Sequence, residues 1–207
     1  MRPELIMTGA IGRVSDSNPP TFHLRTDLIN YFIKLFNYKS YLEIGVKHVG
    51  KNFSKIECEN KVGIDPNGST DYTMTSDEFF EKETKNKKWD IIFIDGLHEA
   101  GQVKIDILNS LEHLNDNGTI VCHDVSPLIP KLLSRDACHN AWEAFAELRC
   151  ERDDLEMYTL PFDHCGFIRV GKQKRFKKEL QKTWEFLKEN RKELMHFISI
   201  DEFLELY

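Results

Sequence analysis

The stretch YLEIGVKHVG (41–50) decides the fold of this chain, together with KVGIDP (61–66), which follows shortly after it. Each begins as a short apolar run that predicts a buried parallel strand, and each strand ends at a carboxylate, Glu43 or Asp65. A strand, a glycine-bearing turn, a connecting segment and a second strand with a terminal acid form a nucleotide-binding βαβ unit. Asp65 follows Glu43 by 22 residues, and its carboxylate can accept hydrogen bonds from two ribose hydroxyls. The pair predicts a site for an adenosine-containing cofactor.

Apolar strands and helical patterns alternate along most of the chain. Alternation of this kind specifies an open, mostly parallel sheet with helices on both faces, so the predicted fold class is α/β. Thr75 or Ser76 can cap one of the helices. Helices are predicted at 24–37, 51–57, 73–85, 98–114 and 138–149, and strands at 41–46, 61–65, 90–96 and 118–124.

The two ends of the chain complete this organisation. Residues 155–162 and 165–171 predict an antiparallel strand pair that closes one edge of the sheet. Residues 1–22 are predicted to be an irregular lead-in, and residues 172–207 a helical C-terminal extension. A chain of 207 residues fits one domain, so a single domain over 1–207 is expected.

Composition argues against several classes of function. A net charge of −6 disfavours a broad basic surface for nucleic acid. No apolar run approaches the roughly 18–20 residues needed to cross a bilayer, and the N-terminus lacks the apolar core of a signal peptide. Five scattered cysteines without a CxxC pair are typical of reduced thiols in the cytosol. We therefore expect a cytoplasmic protein that binds neither nucleic acid nor membrane.

Polar residues follow the predicted strands, at the edge where open parallel sheets bind ligands. Glu43 and Gly45 lie at the end of the first strand, and Asp65 ends the second. Ser76 and Asp77 follow a third. A charge at the end of a buried strand costs free energy unless it is paired or solvated in a cleft. The pattern therefore favours a cofactor cleft.

A second polar set, Asp95, His98, His123 and Asp124, follows the next two strands. Carboxylates and imidazoles in this arrangement can bind a divalent cation through oxygen and nitrogen ligands. They can equally supply a general base that deprotonates a hydroxyl. A third interpretation is structural: the two acids cap the segments that follow them, while the histidines form local hydrogen bonds. The residues alone leave all three open.

Five collinear segments between residues 41 and 127 resemble the class I S-adenosylmethionine-dependent methyltransferases. More closely, the chain is similar to the small-molecule O-methyltransferase group that includes macrolide-sugar O-methyltransferases. The resemblance implies a Rossmann-like methyltransferase fold with a seven-stranded, mostly parallel sheet whose last strand is antiparallel. The segments are YLEIGV, KVGIDP, TSDEFF, DIIFIDGLHEAGQVKIDI and GTIVCHDVSP.

The resemblance assigns the strand-end residues to parts of S-adenosylmethionine. Glu43 and Gly45 would face its methionine end, and Asp65 would hold the ribose hydroxyls. Ser76 and Asp77 would lie near the adenine. The implied cofactor-binding set is Glu43, Gly45, Asp65, Ser76, Asp77 and Asp95.

Metal-using members of this group bind a divalent cation such as Mg²⁺ at the fourth and fifth strand ends, which implies the ligands Asp95, His123 and Asp124. The chain departs from the family pattern in two places. The loop from Gly45 to Gly50 has only part of the usual glycine pattern. In addition, His123 stands where metal-using relatives typically carry a second acid, which bears on the metal more than on the cofactor.

The leading hypothesis is therefore methyl transfer from S-adenosylmethionine to an oxygen of a small molecule, such as a sugar or another hydroxylated metabolite. The candidate catalytic residues are His98, His123 and Asp124, which would accept or relay the proton of the acceptor. One alternative is a nicotinamide-dependent oxidoreductase, disfavoured by the incomplete GxGxxG run. Another is a non-catalytic cofactor-binding module of the same fold. The aromatic-rich tail can pack on its own domain or on a second copy, so a homo-oligomer remains open.

Overall fold

The computed structural model describes residues 20–207, so the predicted lead-in at 1–22 lies outside the described residues except for its last three. The strands are β1 (Ser40–Ile44), β2 (Asn60–Ile64), β3 (Trp89–Ile94), β4 (Leu114–Cys122), β5 (Leu155–Thr159) and β6 (Gly166–Val170). The helices are α1 (Arg25–Phe36), α2 (Ser76–Lys82), α3 (Ala100–Glu112), α4 (Ala141–Glu151), α5 (Trp184–Leu194) and α6 (Ile200–Leu206).

The strands form one sheet in the order β2-β1-β3-β4-β6-β5. The first four strands are parallel, β6 is antiparallel to β4, and β5 is antiparallel to β6. Strand β3 reads WDIIFI, and its last four residues are buried, as expected for a central strand covered on both faces. The predicted α/β class and the antiparallel closing pair are confirmed.

Two apolar layers cover the sheet because successive residues of a strand point to opposite faces. On one face, Ile92 of β3 belongs to the same buried cluster as Trp142 of α4. On the other, Phe93 belongs to a cluster with Phe32 of α1 and Phe203 of α6. The carboxyl ends of the parallel strands are left between these layers, and a ligand can approach there.

The sheet has six strands among residues 20–207, where seven were predicted. In place of the third strand, Tyr72 forms a single parallel bridge with Ile64. Residues 66–70 read PNGST, which favours turns, and α2 already begins at Ser76. Too few residues remain between turn and helix to build a ladder.

The tail is helical only in its second half, so the prediction for 172–207 is partly wrong. Residues 171–183 form no regular secondary structure, and α5 begins at Trp184. The backbone there bonds to other elements: the Phe176 N–H donates to the Arg149 carbonyl at 2.9 Å. Arg149 in turn donates to the Lys174 carbonyl at 3.0 Å. These tertiary partners replace the hydrogen bonds of a helix.

Two shorter segments refine the predicted helices. The segment at 51–57 contains only a 3₁₀ turn, Phe53–Lys55. Thr75, and not Ser76, caps α2, because its hydroxyl accepts from the Glu78 N–H at 3.2 Å and the Glu78 carboxylate accepts from the Thr75 N–H at 3.2 Å. Within residues 20–207, every helix is too short or too polar to cross a membrane.

Candidate active site

A cavity of about 720 Å³ lies beyond the carboxyl ends of the parallel strands. The sheet places it there because these strand ends share one edge. Arg25, Gln102 and Asp106, which the sequence interpretation did not single out, also line the cavity. Every residue predicted for the site lines it: Glu43, Gly45, Asp65, Ser76, Asp77, Asp95, His98, His123 and Asp124.

Glu43 is held by neutral hydrogen-bond donors at the end of β1. The Tyr41 hydroxyl donates to its Oε2 at 2.5 Å, and Asn52 Nδ2 donates to the same oxygen at 2.9 Å. Thr26 fixes Asn52 by donating to its Oδ1 at 2.7 Å. Burial raises the pKa of Glu43 to about 7, since the bonds from Tyr41 and Asn52 offset only part of the desolvation. Near pH 7 this carboxyl group is therefore close to half protonated.

The first loop passes very close to the neighbouring strand end. Gly45 has a φ of +96°, and a Cβ there would lie 2.1 Å from the backbone oxygen of Asp95. Only glycine fits this position. Asp65 ends β2 nearby with 8% of its surface exposed, and its Oδ1 accepts from the Asn67 N–H at 2.7 Å. Both residues line the cavity, and their roles toward a cofactor stay a prediction.

Side chains of α2 and α3 line part of the cavity. Gln102 Nε2 donates to Asp77 Oδ1 at 3.0 Å and to Asp106 Oδ1 at 3.1 Å, and lies 3.4 Å from Ser76 Oγ. Asp106 is almost fully buried. It could have been found from the sequence, because it shares the buried stripe of α3 with Val103.

Charged side chains converge just beyond the carboxyl ends of β3 and β4. Asp95 lies at the centre: its Oδ1 is 3.1 Å from His123 Nδ1 and 3.6 Å from His98 Nε2. Its Oδ2 is 3.7 Å from the Arg25 guanidinium. Burial alone would raise the pKa of Asp95, but the neighbouring imidazoles of His123 and His98 and the charge of Arg25 outweigh it and hold that pKa well below its usual range.

His98 presents one nitrogen to the cavity. Its Nδ1–H donates to the Ala137 carbonyl at 2.7 Å, which fixes the tautomer when the ring is neutral. Its Nε2 then faces Asp124 Oδ2 at 3.2 Å and Asp95 Oδ1 at 3.6 Å. The nearby carboxylate of Asp95 raises the pKa of His98 in spite of its partial burial. Of the predicted catalytic residues, His98 has the nitrogen best placed to take a proton.

His123 is more enclosed. Its Nε2 is 2.6 Å from Arg25 Nη1, and because a guanidinium only donates, Nε2 accepts this bond when the ring is neutral. Nδ1 lies 3.0 Å from Asp124 Oδ2, yet it is buried without a well-aligned hydrogen-bond partner. His123 is therefore positioned to orient its neighbours more than to exchange a proton with a ligand.

Arg25 and Asp163 form a bridge that the sequence interpretation missed. The Arg25 N–H donates to Asp163 Oδ2 at 2.7 Å, and its guanidinium lies 3.4 Å from the same oxygen. Arg25 opens α1, and Asp163 lies in the turn between β5 and β6. Neither stands at the end of a parallel strand, so no sequence signal connected them to the site.

Residues 137–140 contact the charged cluster. Ala137 accepts the hydrogen bond of His98, and the Cys138 thiol donates to Asp124 Oδ1 at 3.1 Å. Burial raises the pKa of Cys138 well above that of a free thiol, so it stays a donor. Asp124 itself has a positive φ of 59°. The segment therefore orients both Asp124 and His98.

Three side chains among residues 20–207 converge as a candidate cation site. Single ligand atoms of Asp95, His98 and Asp124 lie within 4.8 Å of one another, and two carboxylates with one imidazole suit a divalent cation. This set differs in its histidine from the predicted set of Asp95, His123 and Asp124. The role of His123 as a ligand stays a prediction, since its Nδ1 approaches the same two carboxylates.

A family model described as a methyltransferase domain matches residues 42–125, from β1 to just beyond β4. No curated protein matches the sequence significantly. Solved structures share the fold at low identity. The SAH-bound methyltransferase PaMTH1 of Podospora anserina is 17% identical, with a TM-score of 0.52 over 71% of this chain and 78% of its own.

Two further structures agree. The O-methyltransferase of Bacillus cereus in complex with SAH is 14% identical, with a TM-score of 0.51 over 71% of this chain and 80% of its own. The O-methyltransferase TomG of Streptomyces achromogenes in complex with SAM is also 14% identical, with a TM-score of 0.51 over 70% and 79%. The matched domain model and the shared fold confirm the predicted resemblance to the class I S-adenosylmethionine-dependent methyltransferases.

Proposed function

We propose that this chain transfers a methyl group from S-adenosylmethionine to a hydroxyl oxygen of a small molecule. The observation that carries the proposal is one cavity lined by two chemically different sets of side chains. One set comprises Asp65 and the hydrogen-bonding groups of α2 and α3, and the other is the charged cluster around Asp95 and His98. A cavity of about 720 Å³ is within the usual range for a cofactor site.

The sulfonium of S-adenosylmethionine supplies a methyl group that is already electrophilic, so the protein has to bind, align and exclude water. Asp65 would accept hydrogen bonds from the ribose hydroxyls. Gly45, which has no room for a side chain, lets the backbone approach the cofactor closely. SAH-bound and SAM-bound structures of the same fold support this choice of cofactor.

His98 would remove the proton of the acceptor hydroxyl. The Ala137 carbonyl holds the proton of the neutral ring on Nδ1, which leaves the lone pair of Nε2 facing the cavity end. When Nε2 takes the proton, Asp124 at 3.2 Å and Asp95 at 3.6 Å stabilise the imidazolium. Asp124 and His123 then act as orienting groups.

A divalent cation fits the donor set of Asp95, His98 and Asp124, and when bound it would lower the pKa of an acceptor hydroxyl. The Nε2 atom of His98 cannot both ligate a cation and take a proton. Cation dependence therefore separates the two roles of His98 that the sequence left open. The nearby Arg25 guanidinium, 3.7 Å from Asp95 Oδ2, already supplies one positive charge and makes proton removal by His98 the better supported role.

Calorimetry with SAM, SAH and NAD⁺ tests the cofactor. Binding of SAM and SAH but not NAD⁺ would support the proposal, and binding of NAD⁺ alone would favour the oxidoreductase alternative. A panel of phenols, catechols and sugars would then be screened for SAH release, with and without Mg²⁺ and EDTA. Turnover that resists EDTA supports His98 as the base. Cofactor binding without turnover of any acceptor would favour the non-catalytic module.

The proposal extends to partners and location. We infer a free small-molecule acceptor, no nucleic-acid partner and a cytoplasmic setting. The net charge of −6 and free cysteines at positions 58, 122, 138, 150 and 165 support this. In the tail, Phe203 and Tyr207 pack against Phe32 and Phe167 of the same chain, so they do not require a second copy. Whether the protein forms a homo-oligomer can be measured by analytical ultracentrifugation.

A further inference from the structure

Arg25 reaches the charged cluster from α1 with hydrogen-bond donors that its neighbours do not use. Its Nη1 lies 2.6 Å from His123 Nε2 and 3.4 Å from Asp163 Oδ2, so both hydrogens of this nitrogen have an acceptor when the His123 ring is neutral. Its Nη2 forms no hydrogen bond with residues 20–207, because the closest oxygen of Asp95 is 3.7 Å away. Arg25 lines the cavity, so a ligand there can accept from Nη2.

Asp95 brings Arg25 and His98 to the same place. Arg25 Nη2 approaches Asp95 Oδ2, and His98 Nε2 lies 3.6 Å from Oδ1 of the same carboxylate. A hydroxyl group that lies in front of Asp95 can therefore donate its hydrogen to His98 and accept a hydrogen bond from Arg25. Asp163 holds Arg25 from the other side, since its carboxylate also accepts from the Arg25 backbone N–H at 2.7 Å. The arrangement thus offers one acceptor and one donor to the same oxygen atom.

The surroundings of the charged cluster favour a neutral hydroxyl on an apolar body. Leu97, which lines the cavity, is 56% exposed, and Leu24, the residue before Arg25, is 51% exposed. Exposed apolar surface at the rim of a polar cavity is typical of ligand contact. A ligand that is already anionic would be repelled by three carboxylates, those of Asp95, Asp124 and Asp163. A phenol has the required neutral hydroxyl and apolar ring.

We propose that Arg25 is a catalytic residue, whose Nη2 donates a hydrogen bond to the reacting oxygen of the acceptor. This rests on the proposed function, since it adds a group to the same transfer. The acceptor proton passes to His98 Nε2 and the oxygen bonds to the methyl carbon. The carbon–sulfur bond breaks and leaves its electron pair on sulfur, which gives the neutral thioether of SAH. Arg25 stabilises the negative charge that develops on the oxygen. Asp163 is a positioning residue that holds the guanidinium in place.

The test uses 4-nitrophenol as a probe, because its absorbance distinguishes the phenol from the phenolate. The probe is titrated across neutral pH with the SAH-saturated protein in EDTA, so that no cation supplies the positive charge. We expect the unmodified protein to bind the phenolate at least about tenfold more tightly than the phenol, because a charged donor strengthens a hydrogen bond to an oxyanion. This measurement on the unmodified protein does not depend on the folding of a variant.

Variants then assign the preference to Arg25. Arg25→Gln should reduce it to within about twofold, and Arg25→Lys should retain part of it. Asp163→Asn should lower it by about threefold. Asparagine accepts the positive φ of 43° at this position, so the change removes the charge without strain in the backbone. Arg175→Gln, on an exposed arginine outside the cavity, is the control.

Two further measurements separate a catalytic from a structural role of Arg25. Affinity for SAH and for 4-nitroanisole, which has no ionisable oxygen, should be the same in Arg25→Gln as in the unmodified protein. The inference is overturned if the unmodified protein shows no preference for the phenolate or does not bind the probe. An unchanged preference in Arg25→Gln overturns it as well, and so does an equal loss of 4-nitroanisole binding. If SAH itself does not bind, the proposed function fails before the probe is added.

Discussion

Glu43 and Asp95 stand at the ends of neighbouring parallel strands, yet the structure shifts their pKa values in opposite directions. Both are shielded from solvent, and burial favours the neutral acid in each case. The partners of Glu43 are the neutral Tyr41 and Asn52, so its pKa rises to about 7. Asp95 faces two imidazoles and a guanidinium, so its pKa falls. The partners, more than the depth of burial, therefore decide in which direction each pKa moves.

The largest effect on turnover should come from the charged cluster around Asp95 and His98. We expect His98→Gln to lower turnover by about 10²–10⁴-fold, because it removes the only proposed proton acceptor. Affinity for SAH should stay within about twofold, since His98 acts on the acceptor. Rates of SAH release and calorimetric affinities measure the two quantities. His23→Gln, on an exposed histidine outside the cavity, is the control. Equal turnover in both variants would remove His98 from the mechanism.

The raised pKa of Glu43 predicts a pH-dependent stability. Its folded-state value of about 7 lies above the ordinary 4.5, so its contribution is fully present below about pH 4.5 and is lost as the pH rises through 7. The free energy of unfolding of Glu43→Gln should therefore rise by about 3 kcal/mol relative to that of the unmodified protein between pH 4 and pH 8. Urea unfolding at each pH measures the difference. Exposed Glu57→Gln is the control and should show no such trend. A stability difference for Glu43→Gln that stays constant with pH would contradict the raised pKa of Glu43 in the folded protein.

A substitution at Asp65 tests cofactor binding separately from the charged cluster around Asp95 and His98. Asp65→Asn should weaken SAH binding by about 10- to 100-fold, because an amide is a poorer acceptor for two ribose hydroxyls than a carboxylate. Turnover at saturating cofactor should change little. Exposed Asp116→Asn serves as the control. If Asp65→Asn reduced turnover but left SAH affinity intact, the proposed role of Asp65 in binding the ribose would be wrong.

The smallest effect concerns Cys138, which touches the reactive cluster only through Asp124. Cys138→Ala should lower turnover by about three- to tenfold, because Asp124 Oδ1 loses a donor. Cys138→Ser restores a donor and should recover most of the rate at unchanged SAH affinity. Steady-state kinetics measure both variants, and Cys58→Ala controls for loss of a thiol elsewhere. If the serine variant is as slow as the alanine variant, the thiol acts through packing and not through Asp124.

The sequence predicts the cavity wall well because strand ends and their first polar residues are local features. Gly45, Asp65, His98 and Asp124 follow directly from the apolar runs before them. Arg25 and Asp163 escape this reasoning, since each reaches the site from an element that is not a parallel strand. The prediction of a third strand was wrong for a local reason. The turn-forming residues at 66–70 leave only a single bridge between Ile64 and Tyr72, and the sequence pattern does not show that a ladder fails to form there.

By itself, then, the sequence determined the α/β sheet and predicted an adenosine-containing cofactor at the carboxyl edge of its strands, because hydrophobic periodicity and strand-end polarity can be read from consecutive residues. Only the tertiary structure decided which groups share protons and charges. The contact of Arg25 with His123, the bond from Ala137 to His98 and the two carboxylates around Gln102 join residues distant in the chain. The protonation state of a side chain depends on neighbours within a few ångströms. Only the folded chain therefore shows which residues form the charged cluster and which form the hydrogen-bonding set.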